Sequence, residues 1–205
     1  MNMSNGSSKL LIDKAPSAFL NENAIIKCEG EGNRLILLQN AKLGKLGTPK
    51  LEFLGNNNTL IIGEWCNVKR GHYRLTGNNN VIDIGTKTTI NGAYMLCDAG
   101  SCIKVGSDCL LSYSLEFRTT DAHSIFDKNT GDLLDRPSDI NVGNHVWIGK
   151  EACILQGVKL ADNIIVGMRA LVTKCFLDEF TAIAGAPAKI VNSGVTWDRQ
   201  PPKKD

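Results

Sequence analysis

An aliphatic residue stands at Val142, Ile148, Ile154, Leu160, Val166 and Val172, one every six positions without a slip. A helix returns its buried face every 3.6 residues and a strand every two, so a period of six held this long fits neither as one element. The chain has to turn. A second stripe follows four residues behind the first, at Val146, Ala152, Val158, Ile164, Ala170 and Phe176. Short strands separated by tight corners would place both stripes inside a coil of three flat faces. The predicted fold is therefore all-β, a parallel β-helix built on a hexapeptide repeat, with an aliphatic column as its core.

Upstream, a longer repeat overlies the six-residue rhythm. The stretches "GNRLIL" from Gly32, "GNNNTLIIG" from Gly55, "GNNNVIDIG" from Gly77 and "AGSCIKVG" from Ala99 recur every 22 or 23 residues. A bare three-face coil needs about 18 residues, so these coils are predicted to carry a few extra at one corner. Asn and Gly suit such corners because they tolerate positive φ, and stacked Asn side chains can bond along the corner column. The rhythm breaks at "RTTDAHSIFDKNTGDLLDRPSD", a polar stretch with Gly131 and Pro137 that cannot fill interior positions. Residues 118–141 are accordingly predicted to loop out, and loops on a rigid scaffold are where chemistry concentrates. After Val172, "KCFLDEFTAIAGAPAKIV" closes the last coil, with Pro187 interrupting the ladder. Residues 192–205 read as a cap or arm with a disordered tip, residues 1–30 as a lead-in coil, and 1–205 as a single domain.

Lys+Arg 23 against Asp+Glu 21 leaves no global field to attract nucleic acid or a membrane surface, so any charge recognition has to be local. The seven cysteines are odd in number, form no C-x-x-C pair and lie among aliphatic positions, which predicts buried thiols in a reducing cytosol. The opening "MNMSNGSSKLLIDK" lacks the features of a signal peptide, and no stretch approaches a membrane span. A cytoplasmic protein is the expectation.

His123 is the sharpest candidate for chemistry, because it lies in the excluded loop and its imidazole can titrate near neutral pH. Asp121, on the same side if the segment is extended, or Glu116 could orient the ring. The other histidines, His72 and His145, stand 51 and 22 residues away, a poor spacing for zinc; a carbonic anhydrase of this architecture would place two histidines close in sequence. Lys69, Arg70 and Arg74 could continue across coils toward Arg118 as a cationic strip suited to an acidic chain, or serve only as a solvated face. Trp147 falls between the inward Val146 and Ile148, so alternation turns its ring outward, where a ligand or subunit would cover it.

The motifs "NVGNHVWIG", "GVKLADNIIVGMRALVTK" and "AIAGAPAKIV" resemble those of the hexapeptide-repeat acyltransferases of the left-handed β-helix class, especially sugar O-acetyltransferases. A nearer likeness, in the "GNNN" coils, "RTTDAHSIFD" and the late "VTW", is to bacterial capsule-modifying O-acetyltransferases that act on polysialic acid. The resemblance implies transfer of acetyl from acetyl-coenzyme A to a sugar hydroxyl, with His123 as general base and Trp147 walling the cleft. It implies cofactor contacts at Trp147, Lys150, Met168, Thr173, Lys174, Gly185 and Lys189, and acceptor contacts at Arg118, Asp121 and His145. Met168 departs from the small residue usual there, and Asn192 stands where relatives often carry a base. A homotrimer with clefts between subunits is implied, and no metal. A small or nucleotide-linked sugar as acceptor, or a β-helix scaffold without activity, remain as alternatives.

Overall fold

The computed structural model describes residues 2–3 and 9–201, and these form short strands joined by turns, with no helix. The strands stack in three sheets, and in each sheet neighbours come from successive coils. The first face runs through Asn2–Met3, Ile25–Glu29, Lys50–Leu54, Gly71–Thr76, Ala93–Asp98, Leu115–Arg118, Cys153–Ile154 and Leu171–Val172. The second runs through Leu11–Lys14, Arg34–Leu37, Thr59–Ile62, Val81–Ile84, Cys102–Val105, Ile140–Val142 and Lys159–Leu160. The third runs from Phe19–Leu20 through Lys42–Leu43, Asn67–Val68, Thr89–Ile90, Leu110–Leu111, Trp147–Ile148 and Ile165–Val166 to Thr181–Ala184. All of this pairing is parallel until Lys189–Ser193, which turns back antiparallel on Thr181–Ala184 and ends the third sheet. Pro187 sits in that turn, so the terminal hairpin begins before the tail boundary that the sequence suggests. The tip expected to be disordered includes residues 202–205, which lie outside the described residues.

Both aliphatic stripes point inward as the six-residue period requires, and all twelve side chains are at most 6% exposed. Coil length divides the molecule. Paired residues on the second face are 25 apart from Arg34 to Thr59, 22 from Thr59 to Val81 and 21 from Val81 to Cys102, but only 18 from Asn141 to Lys159. The extra residues do not collect at a corner alone, as predicted; they also lengthen the first face. Its upstream strands have five or six residues, against two in Cys153–Ile154 and Leu171–Val172. Each added strand residue extends a face by about 3.3 Å. The wider section accommodates Phe53, Tyr73 and Phe117 inside, whereas the narrow coils hold Ala152, Val158 and Ala170. Gly71 makes room for one of these rings, since a Cβ there would stand 2.8 Å from the Tyr73 hydroxyl.

The asparagine corners form two ladders. In the buried one, Asn33 Oδ1 accepts from the Asn58 amide N–H at 3.0 Å, and Asn58 Oδ1 accepts from the backbone and side chain of Asn80 at 3.0 and 2.8 Å. Asn80 Oδ1 then accepts from Gly100 and Ser101, and the Ser101 hydroxyl lies 2.7 Å from that of Thr119, at the root of the loop. An exposed ladder runs beside it through Asn56 and Asn78. Asn57 and Asn79 adopt φ of 57° and 61°, and Gly55 adopts φ of 138° where a Cβ would fall 1.9 Å from the Gly77 carbonyl oxygen.

The excursion falls where the rhythm breaks. Leu110 pairs with Trp147 across 37 residues, so the loop between Arg118 and Ile140 leaves the stack and re-enters it without disturbing register. A bridge between Phe126 and Leu133 and a turn capped by Asp127 on Asn129 and Thr130 order it internally. The cysteines are free, but they are not all buried: Cys28, Cys102 and Cys153 are half-buried and Cys175 is exposed. Burial pushes the thiols of Cys66, Cys97 and Cys109 up to about 11, leaving them protonated and unreactive near neutral pH.

Candidate active site

His123 owes its position to Thr120 and Ala122 just before it. The hydroxyl of Thr120, itself buried, accepts the Ala122 amide N–H at 3.1 Å, and Ala122 takes φ of 64°, swinging the chain away from the coil. His123 follows on the exposed side, and among the described residues its imidazole has no hydrogen-bond partner. Neither expected orienting acid touches it. Glu116 instead accepts from Arg118 Nε, and Asp121 is exposed and acts electrostatically on the same arginine. An extended segment would have brought Asp121 alongside the ring, and the left-handed Ala122 prevents that.

Ala122 also edges a groove of about 300 Å³ on the outer side of the first face, lined further by Arg74, Thr76, Tyr94, Leu96, Asp98 and Arg118. The register builds this groove: Arg74 pairs with Leu96 and Leu96 with Arg118, while Thr76 pairs with Asp98. The Arg118 guanidinium lies 5.8 Å from the centre of the Tyr94 ring, and Arg74 Nε donates to the Thr76 hydroxyl at 3.2 Å. Paired with Arg74 on the preceding coil is Glu52, only 7% exposed, which receives Lys50 at 3.0 Å and His72 Nε2 at 2.7 Å. Burial would raise the Glu52 carboxyl, but hydrogen bonds from Lys50 and His72 outweigh it and hold the group below the usual glutamate range.

The predicted cationic strip is therefore divided. Arg74 and Arg118 share the groove, while Lys69 and Arg70 lie at the corner between the third and first faces. There they line a cavity of about 220 Å³ with Leu46, Asn91 and Tyr113. Arg70 stands 5.2 Å from the Tyr113 ring centre, and Asn91 Oδ1 is buried without a hydrogen-bond partner.

Further down that corner come three of the positions expected at the cofactor. Lys150, Met168 and Gly185 fall on consecutive coils, linked by Arg169 N–H to Lys150 O and Leu171 N–H to Gly185 O, each at 2.9 Å. All three are exposed, Met168 to 63%. Lys150 is 3.0 Å from Glu151, which also receives Arg169 Nε at 2.6 Å. Thr173 and Lys174 lie exposed at the other end of the short strand Leu171–Val172, with Lys174 Nζ 5.5 Å from the Phe176 ring centre. Lys189 opens the terminal strand, also exposed.

Trp147 does face outward, 40% exposed, between Leu110 and Ile165 in the third sheet. Its ring is met by Trp197, 6.3 Å away at 46°, a residue that sequence reasoning left inside a tail of no assigned role. His145 occupies a corner with φ of 52°, and both of its ring nitrogens are engaged within the chain. Nδ1 lies 2.8 Å from Asp108 Oδ2 and Nε2 lies 3.2 Å from the Trp197 carbonyl oxygen. Partial burial would raise the Asp108 carboxyl, yet hydrogen bonds from His145 and Arg199 hold it below the usual aspartate range. Among the described residues, no three His, Cys, Asp or Glu side chains gather as a metal-ligand set. Nor is any helix there long and apolar enough to cross a membrane.

No family model matches the chain. Individual relatives do. A polysialic acid O-acetyltransferase of Neisseria meningitidis is 34% identical over 173 residues, which cover 74% of this chain and 80% of that protein. The galactoside O-acetyltransferase of Escherichia coli is 30% identical over 63% of this chain and 62% of its own length. Among solved structures, that of the polysialic acid O-acetyltransferase OatWY superposes with a TM-score of 0.84 at 28% identity, covering 96% of this chain and 90% of that one. The chain thus belongs to the hexapeptide-repeat acetyltransferases of the left-handed β-helix class, the family that includes the polysialic acid O-acetyltransferases, and is itself an O-acetyltransferase.

Proposed function

We propose that the protein moves an acetyl group from acetyl-coenzyme A to a hydroxyl of a carboxylate-bearing surface polysaccharide, with His123 as the general base. The observation that carries this reading is the unpartnered, exposed imidazole of the residue that follows Ala122, where Ala122 itself edges a groove containing two guanidinium groups and an aromatic ring. In the proposed step the imidazole takes the proton of the acceptor hydroxyl as its oxygen attacks the thioester carbonyl. The tetrahedral intermediate, stabilised by a backbone N–H, collapses to the acetyl ester and expels the thiolate of coenzyme A, which recovers the proton from the imidazolium. No acyl-enzyme forms.

Arg118, with Arg74, would pair with acceptor carboxylates, Tyr94 and Leu96 would meet the apolar side of a sugar ring, and Asp121 would flank the acceptor. On the donor side, Lys150, Met168 and Gly185 would line the pantetheine arm at their shared corner, Lys174 and Lys189 would meet phosphates, and Thr173 and Trp147 would wall the cleft. We place the clefts between subunits of a homotrimer, since Trp147, Met168 and, on the loop, Phe126 at 58% exposure leave apolar surface that a neighbour would cover. The free thiols suit a reducing cytoplasm. The galactoside acetyltransferase relative supports a second reading, in which the acceptor is a small neutral sugar.

The test is release of coenzyme A from acetyl-coenzyme A with candidate glycans added one at a time. Polysialic acid should support turnover and a neutral galactoside should not; the reverse would favour the second reading. His123→Ala should lose about 10²- to 10⁴-fold in kcat with its fold unchanged by circular dichroism. Wild-type turnover in that variant would remove His123 from the mechanism.

A further inference from the structure

The last described segment is pinned to the coil stack by contacts of a kind that a mere tail does not need. Trp197 is 8% exposed, its ring lies 4.4 Å from that of His145 at 13°, and its Nε1 donates to the His145 carbonyl at 2.8 Å. Two residues on, the Arg199 guanidinium reaches Asp108 Oδ1 at 3.1 Å, Cys109 O at 3.0 Å, Thr89 Oγ1 at 3.2 Å and Lys87 O at 3.3 Å. These partners belong to two successive coils, and Trp197 sits on a third. Asp108 closes the arrangement by holding His145 Nδ1 as well as Arg199.

We infer that this arm is a strap that sets the attitude of the Trp147 ring, with Trp197 as a positioning residue for acetyl transfer. Trp147 stands on a strand of only two residues and projects outward, so its own coil fixes its Cα but leaves its side-chain torsions open. The Trp197 indole, locked by stacking on His145 and by its own N–H, supplies a wall 6.3 Å from the Trp147 ring centre. Arg199 keeps that wall in place by tying the arm to coils beyond it. Trp197 touches no reacting atom; it acts through Trp147. The catalytic consequence rests on the proposal that Trp147 walls the cleft, whereas the mechanical one does not.

The two are separable with fluorescence. In a Trp65→Phe background, adding Trp197→Phe or Trp197→Ala leaves Trp147 as the sole indole, with the stacking ring kept or removed. Trp147 emission anisotropy should be lower in the alanine variant than in the phenylalanine variant, and Arg199→Ala added to the phenylalanine variant should give an intermediate value, with folding checked by circular dichroism. Turnover should fall about 10- to 100-fold in Trp197→Ala, in kcat rather than in donor KM, and Trp197→Phe should restore most of it. Equal anisotropy in the alanine and phenylalanine variants would overturn the strap. Lower anisotropy with unchanged turnover would leave the strap standing and overturn the place given to Trp147 in the cleft.

Discussion

The coils before the loop and the coils after it share one core but solve different problems. Upstream, faces of five or six residues carry paired charges on the outside, and a buried asparagine ladder binds one corner of each coil to the next. Downstream, strands of two residues alternate with exposed corners, and stability rests on the aliphatic stripes. A face only two residues wide has little room for a groove, whereas a six-residue face offers three outward side chains per coil. On the proposed reading the wide face would supply the acceptor surface, and the corner positions stacked on successive narrow coils would meet one extended ligand. If the groove takes the acceptor as proposed, the departure from a strict hexapeptide period serves function as well as fold.

The largest test of this contrast concerns the ladders. Asn80→Ala should cost about 1–3 kcal/mol in chemical denaturation, because Asn58 Oδ1 and Thr76 O lose the Asn80 Nδ2 donor and the Gly100 and Ser101 N–H groups lose Asn80 Oδ1 as acceptor. Asn163→Gly, at a half-buried corner of the narrow half with φ of 61° and bonded only to Glu179 through its side chain, should stay within about 0.5 kcal/mol. Equal costs would mean that the asparagine ladder is not what distinguishes the wide coils. Next, crossed kinetics should divide the substrates between the halves: Arg118→Met should raise the acceptor KM about tenfold with donor KM steady, the loss of one charge-assisted contact, and Lys174→Met should do the opposite. Acceptor and donor effects from both variants would merge the two surfaces into one.

The smallest effect is a pH dependence. The Glu52 carboxyl is held below its unfolded value of about 4.3, so its contribution to stability is fully present above that value and is lost as pH falls through the folded pKa. Acid should therefore weaken the wild type more than Glu52→Gln below about pH 4, measured as the slope of the thermal midpoint against pH. Parallel slopes would show that the Lys50, His72 and Glu52 cluster contributes nothing to the wide half.

Much of this was legible before any coordinates. The stripes from Val142 to Phe176 have one spacing and one environment, so a period suffices to turn each residue inward. The loop around His123 was equally visible, because its polar residues break that period. Arg74, Leu96 and Arg118 follow one another at a constant step of 22, the upstream repeat, so their alignment was within reach of the sequence. What the repeat did not show is the corner between Asn67–Val68 and Gly71–Thr76 that parts them from Lys69 and Arg70. Asp121 was a candidate partner of His123 on strand alternation, which Ala122 interrupts, and Glu116 a second candidate without that geometric reason. Trp197 and Arg199 escaped because a tail without periodicity gives no sign of where it returns; the likeness of the late "VTW" marked Trp197 but assigned it no contact.

The excursion that carries His123 departs after Arg118 and rejoins at Ile140, while Leu110 and Leu111 stack directly on Trp147 and Ile148 as though nothing had been inserted. Such an insertion behaves as a cassette. The loop beyond His123 can be exchanged or shortened without retuning the spring around it, whereas the side chains of the groove, built on Gly71–Thr76, Ala93–Asp98 and Leu115–Arg118, are tied to the register of the stack.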